Sequence, residues 1–252
     1  MDAWHQLRQL TTARIALGRS GGSLPTSERL AFHLAHARAR DAVVSGFHAA
    51  ELAARLRRFG ETFVVDSAAR DRAEFLRRPD LGRKLAAASR EELEQLAVKL
   101  PPPDIVIVVS DGLSTHAVMT QCEPMLAALL PLILGSGWTY GPLIVARQGR
   151  VALQDEIGAL FKARLSVMLL GERPGLGSAD SLGAYFTYAP APGRTDAERN
   201  CISNIRAGGI TPADAAAKLH GLIARSLHLQ ISGVSLKDDA TPAIGSDTFT
   251  VE

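Results

Sequence analysis

Five consecutive β-branched residues, Ile105-Val106-Ile107-Val108-Val109, constrain this chain more than any other stretch. A strand with one wet face alternates apolar and polar side chains. A strand that is apolar on both faces needs a covering layer on each, and helices supply those layers in parallel α/β sheets. The residues downstream keep to that plan. Ser110-Asp111-Gly112-Leu113-Ser114 reads as a turn, residues 115–134 as a helix and Leu143-Ile144-Val145-Ala146 as a strand. Residues 155–163 read as a short helix and 165–170 as another apolar strand, with a further strand at 184–188. Thr211 before Pro212 is an N-cap followed by proline at the first helical position. The helix it starts carries Ala215, Leu219, Leu222, Ile223 and Leu227 at helical spacing. Alternating strands and helices predict an α/β fold with a mostly parallel, doubly wound sheet.

Upstream the character differs. Thr26-Ser27-Glu28 follows Pro25 as a helix start, and Leu30, Leu34 and Ala37 recur at helical spacing. Residues 49–59 form a second helical run closed by Gly60, and 91–100 a third, stopped by Pro101-Pro102-Pro103. Three prolines cannot continue a helix. The expected division is an N-terminal helical region (1–100), a sheet domain (101–236) and a polar, aperiodic, flexible tail (237–252).

Bulk properties exclude several classes. With 28 Lys and Arg against 26 Asp and Glu, the net charge of +2 gives no global field toward nucleic acid or membrane. No run of 18 apolar residues suggests a membrane span, and Trp4, His5 and Arg8 stand where a secretion signal would need an apolar segment. Cys122 and Cys201 lie far apart, outside any metal-ligand spacing, and read as reduced thiols of a cytoplasmic protein.

Candidate chemistry is sparse. Ser110, Asp111 and His116 sit too close together for a hydrolytic triad and lack a G-x-S-x-G elbow. Asp111 and Ser114 fit helix capping or turn hydrogen bonds better. His33 and His36 read as a solvated helix face. His220 and His228 have no carboxylate at ligand spacing. Arg55, Arg57, Arg58, Arg70, Arg72, Arg77, Arg78 and Arg83 form a basic surface, mostly solvated. The turn Gly171-Glu172-Arg173-Pro174-Gly175-Leu176-Gly177 leaves a strand at the edge where open α/β sheets bind ligands. It is neither a dinucleotide fingerprint, because Asp180 stands where the third glycine belongs, nor a P-loop. Glu172 is its candidate ligand-binding residue; the alternative is a carboxylate that satisfies its own turn.

Five segments share order and spacing with one family. They are Arg77-Arg78-Pro79-Asp80-Leu81-Gly82-Arg83, Val109-Ser110-Asp111-Gly112-Leu113-Ser114, Gly149-Arg150-Val151, the 171–177 turn and Cys201-Ile202-Ser203-Asn204-Ile205. Together they resemble the small (light) subunit of ethanolamine ammonia-lyase over most of residues 7–236. The resemblance implies a Rossmann-like core and a hetero-oligomeric lyase that uses adenosylcobalamin. A large (heavy) barrel subunit would hold ethanolamine and the upper face of the cofactor. The small subunit would help enclose the cofactor's lower side and nucleotide tail. The cofactor would supply an adenosyl radical, and ethanolamine would leave as acetaldehyde and ammonia.

Carried over by motif, Val151, Glu172 and Cys201 are the expected cofactor-binding residues, with no catalytic residue and no metal ligand on this chain. The absence of an Asp-x-His-x-x-Gly motif implies that cobalamin keeps its own base on cobalt. Some members carry a longer N-terminal extension linked to a bacterial microcompartment. This chain starts almost at the shared region, so targeting through its own terminus is not expected. Two competing readings are a free-standing nucleotide-binding or hydrolytic α/β enzyme, and a scaffold that has lost its cofactor.

Overall fold

A computed structural model describes residues 3–11 and 13–237. The predicted tail therefore lies outside the described residues except for Lys237. Six strands form one sheet: β1 (Thr62–Asp66), β2 (Ile105–Ser110), β3 (Tyr140–Arg147), β4 (Leu165–Gly171), β5 (Leu182–Tyr188) and β6 (Asn200–Ile205). Their order is β1-β3-β2-β4-β5-β6. The first four are parallel, while β5 and β6 run antiparallel. Every residue of β2 and β4 is buried, as their largely apolar character on both faces requires.

Eight helices accompany the sheet among the described residues: α1 (Ala3–Leu10), α2 (Thr26–Val44), α3 (Ala49–Leu56), α4 (Arg72–Arg77), α5 (Ala87–Ala97), α6 (Thr115–Gly135), α7 (Leu153–Leu160) and α8 (Pro212–Leu229). Successive β2 side chains point to opposite faces and so divide the core. Ile105, Ile107 and Val109 pack with Leu52 of α3, Met125 of α6 and Leu219 of α8. Val106 and Val108 pack with Leu93 of α5 and Ile157 of α7. Helices thus cover both faces, as the five-residue run predicts.

The sequence boundaries shift in detail. The second helical run is α3 followed by a 3₁₀ turn at Arg57–Phe59, and the third begins earlier, at Ala87. The mainly helical first hundred residues also contain a strand. β1 pairs with β3 from Thr62↔Leu143 to Asp66↔Arg147, so chain on both sides of the triple proline builds the sheet. α6 tolerates Pro124 and Pro131 in its interior. Each proline removes a helix hydrogen bond, and the helix is held instead by ten buried residues. By length and composition α6 could cross a membrane; half of that apolar stretch is buried in the core.

The chain leaves β2 toward β3 on one side and crosses from β3 to β4 on the other. The C-terminal ends of β2 and β4 thus flank a switch point, where such sheets open a crevice. Two glycines let these ends meet. A Cβ on Gly171 would lie 2.2 Å from the Ser114 carbonyl oxygen, and one on Gly112 would lie 2.3 Å from that of Gly171. Gly112 also adopts φ +50°, where side chains are strained.

Candidate functional site

The crevice beyond β2 and β4 is an open cleft of about 490 Å³. Leu113 and Leu170 supply apolar wall, and Arg150, Val151 and Ala152 supply the rim ahead of α7. Glu172, Tyr185 and Ser203 form a polar wall, with Arg83 and Arg173 at the margin. Several separate backbone segments must converge to make this shape, and two buried or half-buried carboxylates hold them.

Asp111 is the first. It is buried at the end of β2. Its Oδ1 accepts the Gln148 N–H at 2.7 Å and the Ser110 hydroxyl at 3.2 Å; its Oδ2 accepts from Arg72 at 2.6 Å. Gln148 adopts φ +58°, an uncommon conformation for a residue with a side chain, and Asp111 fixes it. Ser110 Oγ accepts the Gly149 N–H at 2.9 Å. The Ser110-Asp111 pair therefore anchors the loop that presents Arg150 and Val151. Burial pushes the Asp111 carboxyl up, against the opposing pull of Arg72. Ser114, as expected, caps α6 by accepting the Ala117 N–H at 3.1 Å. His116 is exposed on α6 and makes no triad with Ser110 and Asp111.

Glu172 is the second. Its Oε1 accepts the Ser203 hydroxyl at 2.6 Å and the Tyr185 hydroxyl at 3.5 Å. Its Oε2 accepts the Ser181 hydroxyl at 2.6 Å and the Asn204 N–H at 3.1 Å. Asn204 sits at φ +61°, so this carboxylate also pins a left-handed turn. Glu172 ties the end of β4 to β5 and β6. It satisfies far more than its own turn, a role the sequence reading did not weigh.

Val151 and Glu172 thus line the same cleft. Cys201, on β6, does not line the cleft; it is paired in register with Tyr185, which does. Desolvation, with a further contribution from Glu172, pushes the Cys201 thiol up to about 11, although the Tyr185 hydroxyl lowers it. Burial is also the main cause of the raised Tyr185 hydroxyl.

α7 is fixed from the far side by a buried ion pair. Arg199, before β6, contacts Asp155 in the first turn of α7, and its guanidinium also donates to the Arg194 carbonyl oxygen at 2.6 Å. Sequence reasoning missed Arg83, Arg150, Arg173, Tyr185 and Ser203 as cleft residues. Four of them stood inside the five matched segments, and only the fold shows that those segments meet.

A sequence profile described as ethanolamine ammonia-lyase light chain (EutC) matches residues 1–237. An ethanolamine ammonia-lyase small subunit from Pseudomonas putida (strain W619) is 52% identical over 241 residues, covering 95% of this chain and 89% of that protein. One from Xanthomonas campestris pv. campestris (strain ATCC 33913) is 50% identical over 250 residues, covering 98% and 92%. One from Azotobacter vinelandii is 52% identical over 244 residues, covering 96% and 90%. With the profile spanning nearly the whole chain and half of its residues shared with such relatives, this chain belongs to the ethanolamine ammonia-lyase light-chain family.

Proposed function

We propose that this chain is the small subunit of an adenosylcobalamin-dependent ethanolamine ammonia-lyase, and that its cleft forms one wall of the cofactor site. One observation carries the reading. All five family-like segments, separated by up to about 120 residues, reach one cleft. They contribute Pro79 and Arg83; Gly112 and Leu113; Arg150 and Val151; Gly171, Glu172 and Arg173; and Ser203. Nothing in the packing of a structural core requires those five to meet at a solvent-open surface. The family supports this reading over a free-standing nucleotide-binding or hydrolytic enzyme.

The lining suits a corrinoid edge. Leu113, Leu170 and Val151 offer apolar contact to the ring, while Tyr185 and Ser203 offer hydroxyls to its amide side chains. When bound, the cofactor supplies a carbon-centred radical by homolysis of its cobalt–carbon bond. The residues of this chain bind and orient. Among the described lining residues, Glu172 and Asp196 are the only carboxylates, and both already accept hydrogen bonds from the protein. That arrangement favours positioning over proton transfer, so ethanolamine is assigned to the large subunit, the partner of a hetero-oligomer. Glu172 and Cys201 shape the polar wall on which the cofactor's edge rests.

The test is a cobalamin titration of the complex between this chain and the large subunit, followed by visible absorbance. Val151→Trp fills the cleft from a half-buried rim position and should abolish retention of cobalamin while leaving the melting temperature within a few degrees. Wild-type affinity in that variant would remove the cleft from the cofactor site.

A further inference from the structure

We propose that Arg72 is a positioning residue through which the seating of α2 sets the cleft rim, although α2 contributes no residue to the described cleft lining. Arg72 opens α4, and its guanidinium reaches between α2 and the end of β2. Its Nε donates to the Val43 carbonyl oxygen at 2.7 Å. Val43 lies in the last turn of α2, where carbonyl oxygens lack a helical donor, and Arg72 supplies one. Its Nη1 donates to Asp111 Oδ2 at 2.6 Å and to the Gly112 carbonyl oxygen at 2.7 Å. Asp111 in turn accepts the Gln148 N–H through its other oxygen. The Gln148 side chain closes the circuit. With its amide oriented to suit both neighbours, it accepts the Arg72 N–H at 3.0 Å and donates to the Ala69 carbonyl oxygen at 2.6 Å. One residue thus joins the C-terminal turn of α2, the end of β2 and the start of the rim loop 148–152.

Two properties make this a link between elements and more than a counter-ion for Asp111. The guanidinium is a rigid planar fork, so Nε and Nη1 keep a fixed spacing. α2 cannot shift against Asp111 and Gly112 without breaking one side of it. The pair is also largely dry: the Arg72 side chain is 18% exposed and that of Asp111 2%, and the guanidinium lies 5.0 Å over the Phe75 ring. Little water is at hand to replace a broken bond, and a displaced end would leave a buried charge poorly paired. Other contacts of α2 lack this reach. The Thr115 hydroxyl bonds the Ser45 carbonyl oxygen at 3.2 Å, just past α2, but that tie runs to α6. His36, Arg40 and Val43 share a shallow groove with Arg173 and Leu176 of the Glu172 turn, on the other side of the cleft from the rim loop. Seating of α2 therefore sets the loop that presents Arg150 and Val151, and a ligand that orders this loop firms α2 in return, because such coupling is reciprocal. The step from rim to cofactor rests on the cobalamin reading above; the link itself does not.

The experiment is a double-mutant cycle read by amide exchange on the full chain without cofactor. Ala42→Gly loosens the last turns of α2 at its one buried residue. In the wild-type background it should speed exchange of the Gln148 and Gly149 N–H groups about fivefold, the cost of glycine in a helix passed on to the rim. In Arg72→Met or Arg72→Lys the same change should leave those rates nearly unmoved. Arg72→Lys decides the matter. It keeps the charge beside Asp111 and hence the fold, yet one nitrogen cannot stand at both the Nε and the Nη1 position. Full transmission in Arg72→Lys would reduce Arg72 to a counter-ion. Transmission surviving in Arg72→Met would assign it to the groove beside the Glu172 turn. Either result overturns the proposal, as does a wild-type rim that ignores Ala42→Gly. In the complex with the large subunit, Ala42→Gly should weaken cobalamin binding in the wild type and add no loss to Arg72→Lys; additive losses would overturn the role in cofactor binding. A wild-type complex that takes up no cobalamin sinks the cofactor reading alone, and the exchange cycle still decides the role of Arg72.

Discussion

Glu172 concentrates the chemistry of single residues in this site. Glutamine at 172 can place its carbonyl oxygen at the Oε2 position, where the Asn204 N–H and the Ser181 hydroxyl point. Its amino group then meets Ser203 and Tyr185, whose hydroxyls can rotate to accept. Glu172→Gln should therefore fold, with a loss of about 1–2 kcal/mol because charge-assisted bonds become neutral ones. Glu172→Ala strands the Asn204 N–H and should be clearly less stable in thermal melts. Under the cofactor reading, Glu172→Gln also weakens cobalamin about tenfold, a difference of about 1.4 kcal/mol. Unchanged affinity with a lowered melting temperature would leave Glu172 a purely structural tie. Cys201 gives a pH-dependent readout. Its thiol, pushed up to about 11, stays protonated at neutral pH although the residue is exposed. Raised pKa means less thiolate at any pH below it, so iodoacetamide should label Cys201 in the cofactor-free protein about a hundredfold more slowly at pH 8 than a free cysteine. The rate should keep rising beyond pH 10; a plateau near pH 9 would contradict the desolvated setting.

Among elements, α7 is the hinge of the site, because its N-terminal rim carries Arg150 and Val151. Its orientation depends on the Arg199–Asp155 pair. Arg199→Leu leaves Asp155 buried and unpaired, and breaking such a pair typically costs about 3–5 kcal/mol. Urea unfolding should show that loss, and the double variant with Asp155→Leu should recover much of it; a loss under about 1 kcal/mol in the single variant would mean that the pair is solvated. The same elements show why parts of the fold were legible. β2 and β4 declare themselves, since burial on both faces leaves a nearly continuous apolar run, interrupted inside β4 by Ser166. β1 and β6 do not. β1 is an edge strand of five residues within helix-rich sequence. β6 reads Asn-Cys-Ile-Ser-Asn-Ile, its alternation blurred by a register shift against β5. The arginines of the site were hidden for a related reason. Arg77, Arg78 and Arg83 lie within one segment, yet Arg77 bonds the Ala73 carbonyl oxygen, Arg78 pairs with Asp80, and Arg83 faces the cleft. Only tertiary geometry sorts such neighbours.

On the scale of the whole molecule, the cleft's described lining has no carboxylate free of protein hydrogen bonds. The chain should form no acetaldehyde from ethanolamine and adenosylcobalamin until the large subunit is added, and turnover by the purified chain alone would reverse that assignment. α2 adds to the case for a partner. Of its 19 residues only Ala42 is buried, and Leu30, Phe32, Leu34 and Val44 are exposed. A helix so little supported is marginal in water. The cleft, for its part, has no local origin: its wall is drawn from positions 79 to 203, from β4, β5 and β6 and from the loops that follow β2 and β3. A ligand there is a keystone. Opening of the segments that line it would let the ligand go, so its binding energy would stabilise those segments together. Amide exchange should accordingly slow together in β2, β4, β5 and β6 when the cofactor binds, and no fragment of this chain should keep a measurable affinity for it.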